Sequence, residues 1–320
     1  MSESEKVIEL CNLTKDYGKG RGVFDIDLTI RKGEMLGFCG TNGSGKTTTI
    51  RHIMGFLQPT RGKAYVYTPQ GKMESWSHSS EIVRHIGYVP GEIAFPDLST
   101  GTEFLKSQAG FLGVTDMRYA EYLIERLQLD PRAPLKRMSK GMKQKTAIVA
   151  ALMANPEIII LDEPTTGLDP LMRDAFLEII QAERLKGKTV FMSSHMFNEL
   201  ETTCDRVALI RDGHIVDIAV MDDIRNRKIK EYKVEFVAQE DYAAFKKKGH
   251  KVVRDQPQYN QVTVAVSDDR LRAMFNDLKG SNVKFISEVK YNLEKHFKTV
   301  LMQSGDSEEN NEKEYMKNVQ

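Results

Sequence analysis

Three groups of residues in this 320-residue chain have the types and spacing to do chemistry on phosphates. Gly40-Thr41-Asn42-Gly43-Ser44-Gly45-Lys46-Thr47, followed by Thr48, fits G-x-x-x-x-G-K-[ST] at every defined position. The glycines let the backbone wrap so that successive N–H groups point at phosphate oxygens, and a helix opening behind the loop adds its positive dipole. In that setting Lys46 reaches β- and γ-phosphates, and Thr47 ligates Mg²⁺. Asp162 and Glu163 form the second group, at the end of the aliphatic run Ile158 to Leu161. Such a run suits a strand buried on both faces, which delivers its last residues to the edge where open α/β sheets bind ligands. Asp162 is expected to hold the metal through water. Glu163 is expected to be the general base for an attacking water, in a site where positioning and charge supply most of the rate. Its alternative use, as a helix cap after Pro164, suits carboxamides, hydroxyls and Asp better than Glu. Ser139, in Met138-Ser139-Lys140-Gly141-Met142, opens a helix and by itself reads as an N-cap.

The surrounding pattern supplies elements to position these groups. Short strands are expected at Val7 to Leu10, Phe24 to Ile30, Glu34 to Cys39, Gly62 to Tyr67 and Ile86 to Val89, with a helix from Lys46 to Met54. A strand, a glycine loop and a helix in that order are the context a phosphate loop requires. From Thr102 to Leu129 helical spacing dominates, with Phe104, Leu105, Phe111, Leu112, Leu123, Ile124 and Leu127 available for one buried face. Downstream come a helix from Pro170 to about Leu185, a strand from Thr189 to Ser193 and a helix around Phe197 to Thr203. Asp212-Gly213 then sits between two apolar runs as a hairpin turn. Beyond Ile224 the order strand, helix, strand, strand, helix, strand predicts a small α+β unit of split βαβ type. Residues 304–320 are rich in Glu, Asn, Lys and Ser, and disorder is expected there.

With these motifs in place, the chain resembles the ATP-binding subunits of bacterial ABC transporters, of the exporter-like ABC-2 type, from about Val7 to Ile224. The resemblance implies an α/β P-loop NTPase fold with an antiparallel β subdomain and a helical insertion at about 92–150, in a first domain 1–224. An accessory domain follows at 225–303 and the tail at 304–320. It also implies that Ser139 and Gly141 contact the γ-phosphate of ATP held by a second copy of the chain. A hydroxyl, a free N–H and a helix N-terminus together suit such an anion. Asp169, in Gly167-Leu168-Asp169-Pro170, matches the segment that communicates between the two sites. His195 matches the histidine that bonds the γ-phosphate and helps hold the attacking water, and Tyr17 the aromatic that stacks on adenine. The signature departs from the usual form at Met138, Lys140 and Met142. The family's glutamine after Tyr-x-Pro, which touches metal and water and links nucleotide state to the membrane subunit, is replaced by Gly91. Either Glu92 or a water stands in at the metal while the glycine loosens the loop, or that ligand is dispensable.

Composition narrows the partners. A formal net charge of +1 gives no reason to expect nucleic acid. Cys11, Cys39 and Cys204 lack metal-ligand spacing, which favours reduced thiols in a cytosolic protein. No apolar run approaches the ~20 residues of a bilayer span, so membrane attachment must come through a permease. The expected protein is a cytoplasmic Mg²⁺-ATPase, peripheral on the cytoplasmic face, that dimerises around two ATP and drives export of a drug, antimicrobial peptide, lipid or related amphiphile. A soluble ATPase of the same fold acting on ribosomes or DNA is the alternative, and predicts tandem nucleotide domains or a long coiled-coil insertion that the sequence lacks.

Overall fold

The computed structural model describes residues 5–303, so the expected disordered tail lies outside the described residues. The chain divides into two compact units after Ala219, five residues before the boundary drawn from sequence.

In the first unit, β1 (Lys6–Asp16) and β2 (Gly22–Arg31) form an antiparallel pair, and β3 (Met35–Cys39) leads into α1 (Lys46–Ile53). Next come β4 (Arg61–Thr68), β5 (Gly71–Glu74), α2 (Ser79–Ile82), β6 (Ile86–Val89), α3 (Gly101–Leu112) and α4 (Arg118–Arg126). The unit continues through α5 (Lys140–Leu152), β7 (Ile158–Asp162), α6 (Pro170–Leu185) and β8 (Thr189–Ser194). It closes with α7 (Phe197–Thr203), β9 (Arg206–Arg211) and β10 (His214–Val220).

Two sheets result. One has the order β2-β1-β4-β5 with antiparallel pairs. The other has the order β10-β9-β3-β8-β7-β6, parallel from β9 to β6, with the β9–β10 hairpin at one edge. Every residue of β3, β7 and β8 is buried, as a parallel sheet covered on both faces demands. The three central strands therefore end side by side, and their C-terminal ends carry Cys39, Asp162 and Ser194 into the loops that hold the phosphate motif, Glu163 and His195.

The stretch of helical spacing from Thr102 to Leu129 folds as two helices, α3 and α4, separated after the left-handed cap Gly113. Phe104, Leu105, Leu123 and Leu127 are buried as expected, but Phe111 is 89% and Leu112 38% exposed. Phe111 repeats the angular position of Phe104 seven residues on. It falls in the last turn of α3, where no neighbouring element covers it. Periodicity fixes which way a side chain points but not where its packing partner stops.

In the second unit, α8 (Met221–Arg225) precedes β11 (Ile229–Phe236), α9 (Gln239–Lys246), β12 (Lys251–Gln256), β13 (Gln261–Ser267), α10 (Leu271–Asp277) and β14 (Val283–Val289). The sheet order β12-β13-β11-β14, all antiparallel, is the split βαβ arrangement. Its core joins Tyr232, Val234 and Phe236 to Tyr242, Phe245, Val262, Val264, Val266 and Met274. A final helix, α11 (Leu293–Gln303), was not anticipated.

Candidate functional site

The phosphate loop lies between β3 and α1. Gly45 is the N-cap of α1 and has φ 112°, a backbone conformation that only glycine adopts without strain. A Cβ there would also meet Val23 Cγ1 at 2.5 Å. No side chain caps α1, so its first N–H groups remain available to an anion. Thr41, Asn42 and Gly43 are exposed along the rim, while Ser44 and Lys46 are buried.

Lys46, 6% exposed, donates to Gly40 O at 2.6 Å and Thr41 O at 3.1 Å. Its Nζ also stands 3.1 Å from Glu163 Oε1. Glu163 Oε2 in turn meets His195 Nδ1 at 2.7 Å. Lys46 at the start of α1, Glu163 after β7 and His195 after β8 thus form one chain of contacts. Burial pushes the Glu163 carboxyl up, but the His195 hydrogen bond and the Lys46 charge outweigh it and hold it below the ordinary carboxylate value. The same hydrogen bond raises His195 above the usual imidazole value against partial burial.

Glu163 has φ 49°, the left-handed region, which costs a non-glycine residue about 1–3 kcal/mol. Ser193 holds it there: the Glu163 N–H donates to Ser193 Oγ at 2.9 Å and to Ser193 O at 3.2 Å. The same hydroxyl donates to Asp162 Oδ1 at 2.7 Å. Ser193 therefore orients both acidic residues, a role that sequence reading missed. Its only trace was a polar pair, Ser193-Ser194, closing an otherwise apolar strand.

Asp162 is fully buried, and its Oδ2 has no hydrogen-bond partner. A buried carboxylate with one oxygen left without a donor fits a hard cation or its water, taken up together with substrate phosphates. Among the described residues no three His, Cys, Asp or Glu side chains cluster as a self-sufficient metal cage. Thr47, half-buried in the first turn of α1, is the second residue of suitable type.

Ser139, Gly141 and Asp169 form a separate group. Ser139 caps α5, accepting from Met142 N–H at 3.2 Å. Asp169 caps α6, accepting from Met172 N–H at 3.0 Å. The two caps are joined where Gly141 meets Gly167: a Cβ on Gly141 would stand 2.6 Å from Gly167 O, so only glycine permits the approach. Lys140 is exposed, its stem beside Gly167. Gly91 and the exposed Glu92 line a cavity of about 330 Å³ with Ile93, Lys140, Lys143 and Gln144. Tyr17, on the turn between β1 and β2, is 53% exposed.

A phosphate loop after β3, an acidic pair at the end of β7 one strand away across β8, and a serine-capped helix on the same unit are the arrangement of one family. Its model, "ABC transporter", matches residues 23–166. The bacitracin transport ATP-binding protein BcrA of Bacillus licheniformis is 33% identical over 71% of this chain and 75% of its own length. The chain belongs to the ABC transporter family. The linearmycin resistance ATP-binding protein LnrL of Bacillus subtilis is 35% identical over 68% of this chain and 70% of its own length. A solved ATP-binding subunit of an ABC transporter superposes with a TM-score of 0.61 at 30% identity, covering 68% of this chain and 92% of that one. As an ABC transporter ATP-binding subunit, the protein binds and hydrolyses ATP and works with transporter partners. The alternative of a ribosome- or DNA-directed ATPase draws no support from these relatives.

Proposed function

We propose that the chain hydrolyses Mg²⁺-ATP at composite sites between two head-to-tail copies, and that this closure powers a membrane permease exporting an antimicrobial compound. The observation that carries the catalytic part is the contact chain from Lys46 through Glu163 to His195. Incoming phosphates offer Lys46 a stronger partner than two carbonyl oxygens and a carboxylate. Its transfer to the β- and γ-phosphates frees Glu163 Oε1. Glu163 then accepts a proton from a water aligned on the γ-phosphorus, while the other carboxylate oxygen keeps its bond to His195. His195, about half exposed, turns its remaining ring nitrogen to the γ-phosphate. The loop N–H groups and Lys46 stabilise the charge that develops on the transferring oxygens.

Thr47 and, through water, Asp162 would hold Mg²⁺, whose role when bound is to neutralise phosphate charge. Tyr17 stacks on adenine, with Gly40 to Thr48 around the phosphates. Ser139 and Gly141 serve the partner's nucleotide, and Asp169 follows the partner's state through the Gly141–Gly167 approach. The loop at Gly91 and Glu92 carries movement to the permease.

Bacitracin and linearmycin appear in the names of the relatives above, which supports an antimicrobial cargo. Among the described residues no helix is long and apolar enough to cross a membrane. Attachment through the permease at the cytoplasmic face fits that. The test of the catalytic reading is Glu163→Gln: ATP binding is retained, dimer accumulates by size exclusion, and turnover is lost. Hydrolysis at the wild-type rate overturns the assignment of the base.

A further inference from the structure

Glu199 on α7 belongs to none of the motifs above, yet it is only 3% exposed. Two hydroxyls donate to its Oε2: Thr165 Oγ1 at 3.1 Å and Ser194 Oγ at 2.9 Å. Arg173 Nε stands 3.4 Å from Oε1, an ion-pair distance without hydrogen-bond geometry. A carboxylate is rarely buried unless its surroundings pair it, because stripping water from the charge is costly. What its partners have in common is their position in the chain. Thr165 follows Glu163 by two residues, and Ser194 immediately precedes His195. Arg173 sits in the first turn of α6, its N–H bonded to Asp169 O at 2.9 Å. Ser194 Oγ also accepts from Met196 N–H at 3.0 Å, so the turn bearing His195 is gripped on both sides.

We propose that Glu199 is a positioning residue for ATP hydrolysis: its carboxylate ties together the loops that carry Glu163, His195 and Asp169. It acts by holding the Glu163 and His195 loops at the separation that gives the 2.7 Å contact between them. Such a brace is needed because Glu163 occupies a strained backbone conformation, which persists only where the surroundings over-determine it. The inference rests on the catalytic roles proposed for Glu163 and His195.

Steady-state turnover by the full chain tests it. Glu199→Ala is expected to lower kcat at least about tenfold, with KM for ATP and affinity for a non-hydrolysable ATP analogue within about threefold of wild type. Glu199→Gln, whose amide oxygen still accepts from both hydroxyls, recovers part of the loss. In a Ser194→Ala background Glu199→Ala costs a smaller factor, since one contact through which it acts is already gone. A purely structural role would lower the melting temperature and leave both kcat and this coupling unmoved. Should Glu199→Ala fail to fold, the pair Thr165→Val and Ser194→Ala, which keeps the carboxylate, is expected to show the same kcat loss, and unchanged kcat there overturns the proposal. Wild-type kcat in Glu199→Ala, with turnover abolished in Glu163→Gln, removes the positioning role alone. Wild-type turnover in Glu163→Gln removes the catalytic reading beneath it.

Discussion

Gly91 abuts Asp162: a Cβ on Gly91 would stand 3.1 Å from Asp162 Oδ2 and 3.3 Å from its Cγ. That oxygen is also the one without a hydrogen-bond partner. The position where the family carries glutamine therefore points at the carboxylate proposed to serve the metal. Gly91→Gln is expected to lower the Mg²⁺ concentration for half-maximal turnover about threefold or more, because groups that orient metal ligands tune affinity strongly. Gly91→Ala, which adds the tight Cβ contact without the amide, measures the steric penalty alone. Identical Mg²⁺ titrations for the glutamine variant and wild type would mean that Gly91 serves only the turn.

Ser193 donates to Asp162 and accepts from the Glu163 N–H. Ser193→Ala leaves the buried Asp162 Oδ1 without its donor and the Glu163 N–H with only its longer bond to Ser193 O, a loss of about 1–3 kcal/mol in stability by chemical denaturation. It also releases the left-handed Glu163, so kcat is expected to fall about tenfold or more at temperatures where the variant is fully folded. A stability loss without a kcat loss would separate the two roles.

Phe104 and Phe111 share one face of α3 but not one environment. Phe104→Ala should cost about 3–5 kcal/mol, the usual penalty for truncating a buried aromatic. Phe111→Ser should stay within about 0.5 kcal/mol, as ordinary surface substitutions do. Thermal or denaturant unfolding of the two variants side by side checks the difference.

Glu9 links three side chains on the antiparallel sheet. Hydrogen bonds from Lys6, Lys72 and Tyr67 outweigh burial and hold its carboxyl down to about 2, against an ordinary value of 4.5. A depressed carboxylate contributes stability above its unfolded value and loses it as pH falls toward the folded one. Wild type should therefore lose stability between about pH 4.5 and 2 more steeply than Glu9→Gln. Because Lys6 is half exposed, the difference should shrink in high salt. Parallel slopes for the two proteins would count against the pairing.

The second unit has its own core and its own sheet. We propose that it strengthens the homodimer or regulates its opening. Truncation after Ile224 is expected to weaken ATP-dependent dimerisation or change the turnover rate at least about twofold, read by sedimentation and ATPase assay. A truncated chain matching wild type in both would leave the unit without that role.

The chain order of residues determined much of this protein by itself. A phosphate loop is local: the consecutive φ/ψ choices from Gly40 to Gly45 and one helix start at Lys46 decide it, and glycines at fixed offsets announce them. The buried strand behind Asp162 was equally legible, since a continuous aliphatic run leaves few other places to go. The split βαβ order was visible as alternating periods. Contacts across distant segments were not. Nothing in the spacing says that Ser193 would meet both Asp162 and Glu163, that Glu199 would gather hydroxyls from two loops, or that α3 would outrun its cover at Phe111. Those depend on which strands lie side by side and where neighbouring elements end, and only the folded sheet sets that geometry. Sequence period records the direction of a side chain, while its partner is supplied by chain topology.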